Sequence, residues 1–187
     1  MTVDELWTWP VQEPASGDVR LRPFRDEDAV PAAELSVDPY VPLIGTLPPH
    51  ATAEQAAEWV SRQRRRPAER VGFSFAVAER GTDLCIGFAG LWLRQVDQGL
   101  ATAGYAIVPS ARGRGRATDA LRALTAFAWT LSPVLRVHLH IEPWNLASRR
   151  VAERVGYAER GLLPGGEEIG GERRDVLEYA VERPSAG

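Results

Sequence analysis

Arginine and glycine alternate through Arg112-Gly113-Arg114-Gly115-Arg116, and the run continues into Ala117 and Thr118. Ahead of it lies the apolar stretch Tyr105-Ala106-Ile107-Val108, which reads as a strand. Behind it lies Leu121-Arg122-Ala123-Leu124, which reads as an amphipathic helix. A strand, a glycine-rich turn and a helix start together make an anion site. The glycines let successive N–H groups curl into one concavity. The helix start adds unpaired N–H groups and the positive end of its dipole, and three arginines supply charge. The expected guest is a phosphate or pyrophosphate. A Walker-type loop would need a lysine after its last glycine, and the chain contains none. A dinucleotide fingerprint would need a third glycine where Thr118 stands, and an acidic residue roughly 20 positions on. That region holds Val137-His138-Leu139-His140 instead. A nucleotide-dependent oxidoreductase is therefore a distant reading.

A second constellation follows in Ile141-Glu142-Pro143-Trp144-Asn145-Leu146-Ala147-Ser148, continuing through Val151 and Val155 to Gly156-Tyr157. Pro143 ends a strand, because the residue before a proline is pushed out of helical geometry. Asn145 is placed to cap the next helix. Ala147, Val151 and Val155 recur every fourth residue and give that helix a buried stripe, and Gly156 stops it. Asn145 and Ser148, three apart, project from one face of its first turn. Glu142 is the nearest carboxylate. It reads either as a base acting through a water or as a charge that favours the helix N-terminus. His138 and His140 share one strand face, where packed sheet residues are the more common reading than metal ligands.

The two motifs, in this order, resemble the GNAT superfamily of acyl-CoA-dependent N-acyltransferases. Arg112, Gly115 and Ala117 match the family's Arg/Gln-x-x-Gly-x-Gly/Ala loop. Asn145, Ser148, Gly156 and Tyr157 match its Asn-x-x-Ser/Ala helix ending in Gly-aromatic. The serine after the asparagine, and Gly104-Tyr105 before the loop, look most like the ribosomal-protein N-alpha-acetyltransferase (RimJ/RimL-like) branch. The resemblance covers about Val19 to Arg183.

The resemblance implies acetyl-CoA in a cleft where the strands ending at Val108 and Ile141 splay apart. The backbone of Ile107 and Val108 would pair with the pantetheine amides as an added strand would. The pyrophosphate would sit on residues 112–118, with Asn145 and Ser148 facing the pantetheine. An N–H near Val108 would stabilise the oxyanion, and Ser148 would protonate the leaving thiolate or only bind the cofactor. The usual family glutamate is replaced by Thr102, and the usual tyrosine acid by Ala152. Tyr40 and Trp59 fall where the family walls the acceptor. The implied activity is acetyl transfer from acetyl-CoA to an amine, either a peptide N-terminus or a small amine. A weakly catalytic acyl-CoA sensor is the alternative from another class.

Composition bounds these readings. The 187 residues suffice for one core without disulfides. A net charge of -3 argues against a nucleic-acid partner. The cluster Arg62-Gln63-Arg64-Arg65-Arg66 reads chiefly as a solvated helix end. The single cysteine, Cys85, sits in an apolar run and reads as core. No basic leader or membrane-length apolar stretch is evident, so a cytoplasmic, non-membrane protein is expected.

The expected organisation is an extended arm over residues 1–18, one domain over 19–183 and a tail over 184–187. The Trp7–Trp9 arm could cover a partner subunit, as in a homodimer, or the acceptor cleft. Within the domain, strands are expected at 19–23, 73–77, 84–93, 101–108, 135–141 and 174–181, and helices at 26–35, 52–63, 115–130 and 146–155. The stretch 38–50 is expected as a loop, and a glycine-rich link at 165–171. The order β-α-α-β-β-β-α-β-α-β-β predicts an α/β (α+β) fold: a mixed, mostly antiparallel central sheet with helices on both faces, GNAT-like.

Overall fold

A computed structural model describes residues 5–185. Eight strands form one sheet: β1 (Ala15–Ser16), β2 (Val19–Arg22), β3 (Gly72–Glu79), β4 (Cys85–Gln95), β5 (Leu100–Ile107), β6 (Arg136–Ile141), β7 (Ala158–Ile169) and β8 (Glu172–Glu182). Four helices accompany them: α1 (Ala29–Ser36), α2 (Ala53–Arg65), α3 (Arg116–Thr130) and α4 (Leu146–Val155). The spatial order is β1-β2-β3-β4-β5-β6-β8-β7. Every neighbour pair is antiparallel except β5 and β6. The expected order of elements is present, with the short β1 added.

The parallel pair positions the site. β5 and β6 are in register only at Leu100↔Arg136, Ala101↔Val137 and Thr102↔His138. Beyond Thr102 they part, while β5 stays paired with β4 as far as Gly87↔Ile107. One edge of β5 therefore opens into a gap.

Local sequence sets the ends of the elements. Thr52 and Gln55 form the reciprocal capping box that starts α2, at 2.9 and 3.2 Å. Asn145 Oδ1 accepts from the Ser148 N–H at 3.1 Å and starts α4, and Gly156 ends it in a left-handed conformation. The first expected helix is split. Residues Asp26–Asp28 form a 3-10 turn and α1 begins only at Ala29, because Asp28 turns inward as the partner of Arg22. Arg22 Nη1 and Nη2 reach the Asp28 carboxylate at 2.7 and 2.9 Å, and both side chains are 2% exposed.

Two expectations need correction. Residues 165–171 are not a link: β7 runs to Ile169, and only Gly170 and Gly171 make the turn into β8. The register shifts between Leu163 and Glu167, so the inner glycines lie in a bulged region of the hairpin. The N-terminal stretch packs against the sheet rather than lying over the acceptor cleft. Leu6 is buried, and Trp9 meets Phe73 and Phe75 edge-on at 5.6 and 5.2 Å, beside Phe127 of α3. Residues 1–4 of the expected arm, and the last two of the expected tail, lie outside the described residues. Among the described residues no helix is long and apolar enough to cross a membrane.

Candidate active site

The loop after β5 is built as an anion nest. Gly113 and Gly115 both take φ of +79°, and a Cβ on either would meet nothing within 4 Å. Among the described residues, no backbone carbonyl takes the N–H groups of residues 113–118, and no side chain caps α3. Six consecutive donors are thus left for a ligand.

The arginines differ from expectation. Arg112 is committed within the protein: Nε donates to the Ile107 carbonyl at 2.9 Å and Nη2 to Asp38 at 2.6 Å. Burial works to raise the Asp38 pKa, but the Tyr40 N–H, the Arg112 guanidinium and the Val41 N–H outweigh it and hold that carboxyl below its ordinary range. Arg112 therefore ties the nest to the loop between α1 and α2. Arg116 pairs with Asp18 and Glu79 at 2.5 and 2.9 Å and anchors the start of α3 to β3. Arg114 makes no ion pair among the described residues. What the loop offers an anion is therefore chiefly backbone N–H groups and Arg114, with Arg112 and Arg116 engaged within the protein.

The nest opens into a cleft of about 550 Å³ lined by Ile107, Arg112, Gly113, Gly115, Arg116, Ala117, Thr118, Asn145, Ser148 and neighbouring residues. Val108 does not line it. Its N–H donates to the Ile86 carbonyl at 2.9 Å, closing the ladder to β4. That bond takes the Val108 N–H out of the pantetheine pairing expected of it, and an oxyanion donor near Val108 would have to be a neighbouring N–H. It also fixes the alternation along β5: residues 108 and 106 face β4, so the N–H groups of Tyr105 and Ile107 face the gap. The strand-like pairing surface is thus shifted by one residue, to Tyr105 and Ile107.

A second, larger cleft of about 1040 Å³ adjoins it. The two clefts share Tyr40, Ile44, Tyr105, Asn145 and Ser148. Asn145 spends its side-chain oxygen on the helix cap, which leaves its amide nitrogen as a donor. The Tyr105 hydroxyl is buried with no hydrogen-bond partner. Burial pushes its pKa up to about 12, with the nearby Ser148 hydroxyl pulling the other way. Tyr40 meets Trp144 edge-on, with ring centroids 5.0 Å apart. Burial, then the Glu142 carboxylate, pushes the Tyr40 pKa well above its usual value.

Glu142 itself is buried, 5% exposed, and lines neither cleft. Its neighbours are Tyr40 and, at 3.9 Å, Arg174. It supports the aromatic wall and is not positioned as the base. Glu69, Glu167 and Glu168 line the larger cleft, and of these Glu167 of β7 has its Oε1 2.5 Å from His140 Nδ1. That hydrogen bond holds the Glu167 pKa below the usual carboxylate range, against the opposing effect of burial. His138 makes a parallel contact with Glu178 at 2.8 Å. Ligand atoms of His138, His140 and Glu178 converge within 4.8 Å. Strand alternation puts the two histidines on one face in the sequence, but nothing in their spacing points to Glu167 or Glu178.

Two other candidates resolve as core. Trp59 is 3% exposed and packs edge-on against Phe24 and Phe88. Cys85 is partly buried against the core, and burial pushes its thiol up to about 12, which argues against a nucleophilic role.

The acetyltransferase (GNAT) domain family matches residues 18–158. A curated relative, an uncharacterized N-acetyltransferase called p20 from Bacillus licheniformis, is 26% identical over 89% of this chain and 94% of its own length. The solved structure of Mycobacterium smegmatis RimJ in complex with a CoA disulfide is 26% identical, with a TM-score of 0.75 over 93% of this chain and 86% of that one. RimL, a ribosomal L7/L12 alpha-N-protein acetyltransferase solved with coenzyme A, has the same fold, with a TM-score of 0.76 at 19% identity over 90% and 96% of the two chains. A splayed β5–β6 pair, a backbone nest at its mouth and a second cleft meeting the first at Ser148 are the parts such a transferase needs, and the chain belongs to the GNAT family of acetyl-CoA-dependent N-acetyltransferases.

Proposed function

We propose that this protein acetylates the α-amine of a peptide or protein N-terminus by direct attack on acetyl-CoA. The observation that carries this reading is the meeting of two clefts at Tyr105, Asn145 and Ser148. A donor in one cleft and an acceptor in the other can meet there. The larger cleft has room for several peptide residues, and the RimL relative is named for an alpha-N-protein activity.

The nest of residues 113–118 holds the CoA pyrophosphate. Pantetheine amides pair with the Tyr105 and Ile107 backbone, and the Asn145 amide nitrogen donates from the facing helix. This places the thioester at the junction, where proximity supplies much of the rate. The acceptor must be neutral to attack. An α-amine, with a pKa near about 8, gives up its proton more readily than a lysine amine near about 10.4. With Nδ1 engaged by Glu167, His140 keeps Nε2 to accept that proton. The amine nitrogen bonds to the thioester carbon, the C–S bond breaks, and the thiolate is protonated through Ser148 Oγ, which regains its proton from solvent in the cleft as His140 gives up the one it took from the amine, with the Tyr105 hydroxyl beside it.

Mass spectrometry of a peptide carrying both a free N-terminus and an internal lysine tests the site of transfer. Acetylation at the N-terminus is expected. Acetylation at lysine alone would refute the α-amine assignment.

A further inference from the structure

The larger cleft ends in a charged subsite that acetyl transfer does not itself require. The arginine cluster at the end of α2 divides by helical period. Arg64 pairs with Asp26 at 2.7 Å, and Arg65 with Glu69 at 3.3 Å and Ser61 at 2.8 Å. Arg62 and Arg66, four apart, line the cleft together with Arg94 of β4. Arg62 is engaged by Glu58 and the Thr46 carbonyl. Arg66 lies over the Trp92 ring, 5.4 Å from its centroid.

Trp92 is itself held by design of the sheet. A Cβ on Gly90 would come within 2.8 Å of its ring, and one on Gly104 within 2.9 Å. Two glycines on neighbouring strands thus form a shelf on which the indole lies, and the indole supports the guanidinium. Burial, and then the like charge of Arg94, lower the pKa of Arg66, with Glu69 opposing more weakly. Glu69 lines the same cleft but is paired with Arg65, and among the described residues Arg66 makes no ion pair of its own; a partly desolvated guanidinium without a partner is a place for an anion.

We infer that Arg66, stacked on Trp92 and backed by Arg94, forms a subsite for a carboxylate carried by the acceptor, so that the preferred acceptors are acidic peptides. The distance sets where the acid must lie. Trp92 pairs with Thr102, three residues along β5 from Tyr105, which is roughly 10 Å of strand. An extended peptide whose α-amine sits at the junction covers that length with its first three or four residues. This inference rests on the transferase reading above.

The test uses the full-length protein and N-terminally free, C-terminally amidated tetrapeptides. One has glutamate and aspartate at positions three and four, and its match has glutamine and asparagine there. A third peptide, neutral at those positions but with a free C-terminal carboxylate, separates a side-chain acid from a chain-end acid. Expected is a kcat/KM about tenfold or more higher for the acidic peptide, carried by KM, and reduced at high salt. Arg66→Gln should remove that preference while leaving the neutral peptide's rate within about twofold. Arg94→Glu, an exposed change, should reverse the preference. Equal rates for acidic and neutral peptides, or equal losses for both in Arg66→Gln, overturn the subsite. Calorimetry of the N-acetylated acidic peptide with the CoA-bound protein separates the two levels. Acid-selective binding without turnover of any amine would sink the transferase reading and keep the subsite. Turnover without acid selectivity would do the reverse.

Discussion

Replacing Gly115 with glutamate probes the anion nest with little steric confusion. A Cβ there meets nothing within 4 Å, so the side chain fits, and its carboxylate projects toward the site proposed for the pyrophosphate. The left-handed φ of +79° costs a non-glycine residue roughly 1–2 kcal/mol, in the free and the CoA-bound protein alike. The specific effect is electrostatic. One new negative charge about 5 Å from each of two phosphate charges costs about 0.8 kcal/mol per pair at the dielectric of water, and about four times that at an effective value of ~20. Because the loop is exposed, the lower figure applies as a floor. About 1.7 kcal/mol in total corresponds to CoA binding weakened by about 15-fold or more. Isothermal calorimetry with CoA reads this directly, and Gly115→Ala is the control, carrying the same backbone penalty without the charge. The reasoning fails if Gly115→Glu binds CoA like the parent, or if Gly115→Ala loses as much as Gly115→Glu.

Other expectations concern catalysis and stability. Ser148→Ala should lower kcat more than it weakens CoA binding; parallel losses in turnover and calorimetric affinity would make the serine only a binding group. His140→Gln should cost about 100-fold or more in kcat near neutral pH, with the deficit shrinking toward pH 9 as the α-amine loses its own proton; a deficit constant with pH would exclude His140 as the base. Asp28→Ala removes the bidentate partner of the buried Arg22 guanidinium, which is still held by Asp83 Oδ1 at 3.0 Å, and should cost about 3 kcal/mol, the low end for a broken buried pair, in denaturant unfolding, while Arg22→Met with Asp28→Leu should recover much of that. The Asp38 and Glu167 carboxyls hold protons less tightly when folded. Their contribution to stability is therefore full above the ordinary carboxylate range and lost as pH falls through the lower folded values. An unfolding free energy that does not fall on acidification would contradict those pairings.

Local signals carried most of the fold into the sequence. The Thr52–Gln55 box, the Asn145 cap and the Gly156 stop act within a few residues, and each element they bound falls within a residue or two of its expected place. The β7 hairpin was obscured because its glycines sit in a bulge, so turn-like composition occurs inside a strand. The nest is legible as a loop, but the internal partners of its arginines are not. Arg112 meets Asp38 across 74 residues and Arg116 meets Asp18 across 98; partners that distant leave no trace in spacing. Glu167 was hidden for the same reason, since only the β6–β8–β7 order brings it to His140. Glu142 drew attention by its position next to the motif, yet its side chain is directed to Tyr40 and Arg174.

The central claim is that the junction at Tyr105, Asn145 and Ser148 transfers acetyl from acetyl-CoA to a peptide α-amine. Release of free thiol from acetyl-CoA, followed across free and N-blocked peptides, lysine side chains, polyamines, aminoglycosides and amino acids, tests it most directly. The account predicts thiol release with N-terminally free peptides, abolished by blocking the α-amine and slowed by Ser148→Ala. Turnover confined to small amines, or no turnover by a protein that still binds acetyl-CoA, would contradict it.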